Sequence, residues 1–256
     1  MWVETLMNSL PHILHTISYM ALPLVFAMVF HEYAHGWVAD HYGDSTARLE
    51  GRLTMNPLAH IDPFGTVILP LLCLMLPGSF FLGWAKPVPV NPARLHNPRR
   101  DMALVAAAGP GMNLLLAFAS IFLLGALLLI DPTLHTALGV SLMPQPGQEP
   151  RRDLMSMILL PIFAMAYYSV FINTLLMAFN LFPIPPLDGG RILVSLLPPR
   201  AADTLSRLEP YGMLVIVGLI MLDPQIRVIR TAVGTLIGLM DMTTSVILST
   251  VLQERP

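Results

Sequence analysis

Charge is what this sequence has least of. Only 12% of its 256 residues are charged, about half the ~25% of soluble domains. Hydrophobic residues make up 55% of the chain, and the mean hydropathy is +0.67. A soluble domain of this length keeps much of its surface in water and cannot hide that much apolar area. The same composition excludes intrinsic disorder. The net charge of −2 comes without a long run of one sign, so a nucleic-acid footprint is excluded too. Cysteine is nearly absent: Cys73 stands alone, and no internal disulfide can form. The first ten residues contain Glu4 and neither Lys nor Arg. They lack the basic start of a cleavable signal, and the first apolar segment is expected to be retained. What remains is a polytopic protein with a surface facing lipid.

A helix needs about 20 mostly apolar residues to cross a bilayer core ~30 Å thick. Five stretches qualify, roughly 17–40, 102–130, 156–180, 209–223 and 228–252; the fourth is short and needs a start near Ser206. A sixth, 64–83, is apolar enough but interrupted by Pro70, Pro77 and Gly78. Residues 83–98 alternate Val with Pro and Lys, a pattern that favours extended backbone and excludes helix. Residues 131–153, with four prolines, read as a polar loop. The expected fold is an all-α polytopic membrane protein of five to six transmembrane helices. It includes a re-entrant or interfacial segment and a short extended, β-like loop. One domain is expected over 1–256, with a core at about 17–200 and C-terminal helices at about 206–252.

Ionisable groups in a bilayer are costly, so each one in an apolar segment is a candidate functional group. In PLVFAMVFHEYAHGW, His31, Glu32 and His35 follow a run of eight apolar residues. On a helix, His31 and His35 project from one face and can share one metal ion, with Glu32 bordering the same place. That is a zinc-hydrolase arrangement, in which the glutamate is general base toward water activated by zinc. The plainer alternative is an interfacial polar helix end with no metal, but three ionisable groups inside an apolar helix need partners, and a metal supplies one for both imidazoles. Catalytic zinc usually takes three protein ligands, and Asp188, in NLFPIPPLDGGRIL, is the best third. Prolines break the helix before it, and Gly189 and Gly190 allow close backbone approach after it. A helix-capping aspartate also fits the D-G-G-R context. Asp44, Asp62, Asp101 and Asp131 read as caps or interfacial residues. Asp241, in the last apolar stretch, has no evident partner.

With these residues, the chain resembles the site-2 protease family of intramembrane zinc metalloproteases. His31-Glu32-Tyr33-Ala34-His35 matches the family's H-E-x-x-H signature, and Asn180, Pro183, Leu187, Asp188 and Gly189 match N-x-x-P-x-x-x-L-D-G. Gly109 and Asn113 match the G-x-x-x-N element of the intervening helix. ARLEGRLTMNPLAHIDPFGT and GWAKPVPVNP resemble a small prokaryotic subgroup without PDZ or CBS domains. The resemblance covers roughly residues 20–200. It implies one zinc ion per chain on His31, His35 and Asp188, with Glu32 as catalytic base. It also implies cleavage in or near the transmembrane segment of a substrate, usually single-span. Asn113 and Asn180 are candidate substrate-binding residues for unwound backbone; interhelical packing is the alternative for both. The extended GWAKPVPV segment offers an edge for strand addition.

In relatives the two motif helices run parallel, which by parity makes 64–83 re-entrant or interfacial. Charge agrees. Under that topology Arg48, Arg52, Lys86, Arg94, Arg99, Arg100, Arg200, Arg207 and Arg255 share one side, against Arg151, Arg152, Arg227 and Arg230. A full crossing balances the two sides. The positive-inside rule thus puts the active site toward the cytoplasm of a prokaryotic plasma membrane. Two rival functions use the same residues: an intramembrane zinc transporter, which has no need of Glu32, and a catalytically inactive family member.

Overall fold

A computed structural model describes residues 2–68, 83–142 and 153–253. Among these the regular structure is helical: α1 (Trp2–His41), α2 (Thr46–Leu49), α3 (Pro98–Ile130), α4 (Leu134–Leu142), α5 (Leu154–Asn180), α6 (Asp188–Leu196), α7 (Pro199–Ser206), α8 (Gly212–Ile226) and α9 (Val228–Gln253). Among the described residues, five stretches are long and apolar enough to cross a membrane: Leu14–His41, Pro98–Ile130, Leu154–Asn180, Pro199–Asp223 and Ile229–Val251. They coincide with the five read from the sequence. The fourth gains its length from α7 and a 3-10 turn at Glu209–Tyr211, ahead of α8. Most of 64–83 lies outside the described residues; only its start, in a π-helical turn over Pro63–Ile68, and Gly83 are inside. The chain is a multi-pass, all-α membrane protein.

The loop expected at 131–153 departs from expectation. Its apolar LHTALGVSL forms α4, and Leu134, Ala137 and Leu138 are buried in a hydrophobic core. Asp131 accepts from Thr133 N (2.9 Å) just ahead of it, so proline-flanked polarity masked a short helix.

The chain forms two compact units. One comprises Met1–Ala27, Leu114–Leu176 and Arg230–Pro256. Its core is built on Ile121, Leu124, Leu128 and Phe163, with Met240 and, partly buried, Leu248 and Val251 from α9. Small polar residues fasten α3 to α5 here. Ser120 Oγ of α3 lies 2.8 Å from Ser169 Oγ of α5, and within α5 Asn173 Nδ2 donates to Ser169 O at 2.9 Å. Between helices in hydrocarbon such bonds leave no polar group facing lipid.

The other unit comprises Met28–Asn113 and Met177–Ile229, and it holds every candidate site residue. Its small core sets Ala39, Leu95 and Val105 against Val38, Tyr42, Val90 and Met102. Aspartates organise its loops, Asp44 and Asp101 buried and Asp62 half-buried. Asp44, fully buried, accepts from Thr46 N (3.1 Å) and Asn91 N (2.5 Å). Asp62 accepts from Gly65 N (2.6 Å), and Asp101, in the first turn of α3, from Asn97 N (2.6 Å). These are the capping roles read from the sequence. The segment 83–91 is extended, as its Val-Pro alternation requires.

Candidate metal centre

The 3.6-residue period of α1 places His31 and His35 one turn apart on a common face, 3.1 Å between their Nε2 atoms. Each ring is fixed from behind. His31 Nδ1 donates to Asn113 Oδ1 of α3 (2.5 Å), and His35 Nδ1 donates to Val105 O of the same helix (2.7 Å). Because both Nδ1 atoms face oxygen acceptors, they carry the ring protons, and both Nε2 atoms present lone pairs.

The third group comes from the proline-broken turn 181–187, whose Pro185–Pro186 bond is cis. There is no room for side chains where this turn folds back on α6. A Cβ on Gly189 would overlap Leu181 O, and one on Gly190 would overlap Pro185 N. This close approach puts Asp188 in the first turn of α6, where the helix dipole favours a carboxylate. Asp188 Oδ2 lies 3.1 Å from His31 Nε2, and Oδ1 lies 3.4 Å from His35 Nε2.

His31, His35 and Asp188 are respectively 7%, 9% and 6% exposed. Two lone pairs and a carboxylate, all out of water, face one another, and Asp188 Oδ2 has no partner of hydrogen-bond geometry. Such an arrangement is satisfied by a cation. Among the described residues this is the one His, Cys, Asp or Glu cluster able to hold a metal. Space is reserved as well. A Cβ on Gly109 of α3 would stand 2.5 Å from His31 Nε2 and just as near His35 Nε2. Two imidazoles and one carboxylate are a donor set that fits catalytic zinc, and the Nδ1 partners supply the orienting second contacts that zinc-bound histidines use.

Glu32 is half-buried beside its neighbours. Its Oε2 accepts from the backbone N–H of Val88 in the extended segment (2.7 Å). That segment is itself held by Arg52, whose guanidinium donates to Ala59 O, Lys86 O (2.9 Å) and Pro87 O (3.1 Å). Lys86 N donates to His60 O (2.9 Å) and Trp84 N to Gly65 O (3.1 Å). Gly36, one turn along α1 from Glu32, leaves room for the Val88 side chain.

Sequence reasoning missed three of these relations: Val88 on Glu32, Arg52 on the extended segment, and Asn113 on His31. Asn113, a candidate for substrate, is fully buried with its Oδ1 on His31. Asn180 is half-buried at the end of α5. His60 is buried in the loop ahead of the extended segment, with Nε2 donating to Thr54 O (2.9 Å).

Comparison with known proteins agrees with the chemistry of this centre. The model of peptidase family M50 matches residues 19–222, a range that contains Glu32 and the whole cluster. YwhC of Bacillus subtilis, named as a candidate zinc metalloprotease, is 38% identical over 207 residues, covering 79% of this chain and 80% of that protein. Two mycobacterial proteins named Rip2, likewise candidate zinc metalloproteases, are more distant. The one from Mycolicibacterium smegmatis is 26% identical over 77% of this chain and 64% of its own. The one from Mycobacterium tuberculosis H37Rv is 27% identical over 80% of this chain and 71% of its own. No solved structure matches the chain. Two histidines and an aspartate converging in a membrane-embedded, M50-matching chain identify it as a zinc metalloprotease of peptidase family M50, the site-2 proteases.

Proposed function

We propose that this protein hydrolyses peptide bonds in or near the transmembrane segments of membrane proteins, with His31, His35 and Asp188 as zinc ligands and Glu32 as general base. The observation that carries the reading is the convergence of both Nε2 lone pairs and the Asp188 carboxylate while both Nδ1 atoms are committed elsewhere. Zinc bound there would act as a Lewis acid, polarising the scissile carbonyl and activating water at neutral pH.

The chain's own residues do the rest. Asn113 and Val105 O fix the ring orientation of His31 and His35. The Val88 N–H holds Glu32 Oε2, leaving Oε1 to take the proton of the attacking water and return it to the leaving nitrogen. A helical substrate has its carbonyls hydrogen-bonded internally and must unwind to be cut. Residues 84–90 lie extended at Glu32, where an unwound backbone could align. Pro87 and Pro89 carry no N–H, so at those positions the segment offers acceptors alone. Asn180 is assigned to the unwound substrate. Single-span proteins are the simplest substrates for such a site. The excess of basic residues on the 41–62 and 83–101 segments supports a site toward the cytoplasm of a prokaryotic plasma membrane.

The test is cleavage of single-span model substrates by the full chain in vesicles with zinc. Glu32→Gln is expected to abolish cleavage while zinc stays bound. A wild-type protein that retains zinc and cuts none of several substrates would overturn the proposal.

A further inference from the structure

The last span carries a carboxylate that the centre does not use. Asp241 lies near the middle of Ile229–Val251, about 18 Å and 15 Å from its ends at 1.5 Å per residue. Aspartate is too short to lift its charge to either interface from that depth. α9 has two distinct sides. Met240 and Thr244 are buried, and with Ile247, Leu248 and Val251 they form the side toward α3, where a Cβ on Gly125 would stand 3.7 Å from Val251 Cγ2. Gly234, Gly238, Asp241 and Ser245 are exposed. They fall within about 60° of arc at 100° per residue.

Among the described residues, none makes a hydrogen bond or ion pair with the Asp241 carboxylate, and it belongs to no metal-binding cluster. A carboxylate at this depth facing hydrocarbon is costly, so such a group marks a partnered position. Lipid tails supply neither a donor nor a charge. The shape beside it suits a helix: nothing lies within 4 Å of where a Cβ would stand on Gly234 or Gly238, so a second backbone can come close.

We infer that this face of α9 docks a transmembrane helix of another protein carrying a lysine or arginine at mid-bilayer depth, paired with Asp241. Charge decides between occupants. A second copy of this chain would set one Asp241 against another in a medium that screens little, whereas a basic side chain neutralises it. Gly234 and Gly238 let the two helices approach until the charged groups meet.

The probe is a synthetic leucine–alanine transmembrane helix with one central lysine. It is co-reconstituted with the full chain in phosphatidylcholine vesicles, and association is read by fluorescence energy transfer. A central-leucine helix is expected to bind about ten-fold more weakly. Asp241→Asn should bring the lysine helix down to that level, and Gly238→Ile should weaken it as well. Asp241→Lys should gain binding to a helix with a central glutamate, a result that misfolding cannot imitate. Equal binding of the lysine and leucine helices by the wild type would overturn the inference. So would self-association of the wild type that Asp241→Asn abolishes, since the occupant would then be a second copy.

Discussion

The side chain that Gly109 lacks would occupy the place on which His31 Nε2 converges, 2.5 Å from that atom. A zinc–nitrogen bond is about 2.0–2.1 Å, so a methyl there competes directly with the ion. Gly109→Ala is therefore expected to remove zinc while leaving the helices intact. Metal content after dialysis should fall from near one equivalent to near zero, with circular dichroism unchanged. Retained zinc would show that α3 can retreat from the histidines.

Asn113 predicts a graded effect. Its Oδ1 receives the His31 Nδ1 proton, fixing the ring so that Nε2 faces the centre. Loss of such an orienting partner commonly lowers metal affinity or activity about 10–100-fold. Asn113→Leu should weaken zinc by that order in a chelator competition. Asn113→Asp, which keeps an acceptor oxygen, should recover most of it. Equal loss in both variants would assign Asn113 to packing or to substrate.

These two residues show where the sequence was legible. The spacing of His31, Glu32 and His35 is local and set by one helix, and the proline and glycine punctuation around Asp188 announces a broken helix. The caps at Asp62 and Asp101 are legible for the same reason, since each acts within a few residues, as does the bond from Thr46 N to Asp44; the bond from Asn91 N to Asp44 spans 47 residues and is not. Asn113 on His31 spans 82 residues, and Val88 on Glu32 spans 56. No periodicity records which backbone amide a distant carboxylate will meet, because tertiary packing decides it. α4 was hidden differently: Pro132 and Pro144 flank a short apolar run that is helical because Leu134 and Leu138 have a core to enter.

Arg52 should affect catalysis without affecting metal. Its guanidinium holds the carbonyls of Lys86 and Pro87, immediately before the amide that binds Glu32. Arg52→Gln frees that segment while leaving His31, His35 and Asp188 untouched. We expect turnover to fall by about ten-fold, the value of roughly one hydrogen-bonded contact to a charged group. Zinc content should not change, and Arg52→Lys should rescue only part of the loss, because an ammonium cannot bridge several carbonyls as a planar fork does. Loss of zinc in Arg52→Gln would place the segment's role in the fold of the metal centre instead.

Zinc removal should destabilise the protein. Three buried ligands, with Asp188 Oδ2 lacking a hydrogen-bond partner, are left facing each other when the ion goes. Binding to the folded state alone contributes about 4 kcal/mol at a thousand-fold excess over Kd. Chelation should therefore lower the Tm of the detergent-solubilised protein by several degrees, and zinc should restore it. In Asp188→Ala the shift should largely vanish, since the third ligand is gone. An unchanged Tm on chelation of the wild type would mean that the three groups do not bind the ion in the folded chain.

Topology gives the last test. The basic residues Arg48 and Arg52 precede Pro63–Ile68, and Lys86, Arg94, Arg99 and Arg100 follow the stretch up to residue 83. A full crossing by that stretch would put these two groups on opposite sides of the membrane, whereas a re-entrant or interfacial path keeps them together. The described residues on either side of the stretch touch one another: Arg52 reaches Lys86 O and Pro87 O, and Lys86 N donates to His60 O. Backbone contacts joining 52–60 to 86–87 cannot be made across about 30 Å of hydrocarbon. Single cysteines at positions 50 and 97, in a Cys73→Ser background, should both react with an impermeant maleimide from the cytoplasmic side only. Labelling from opposite sides would overturn the re-entrant path, and labelling of both from outside would reverse the orientation of the active site.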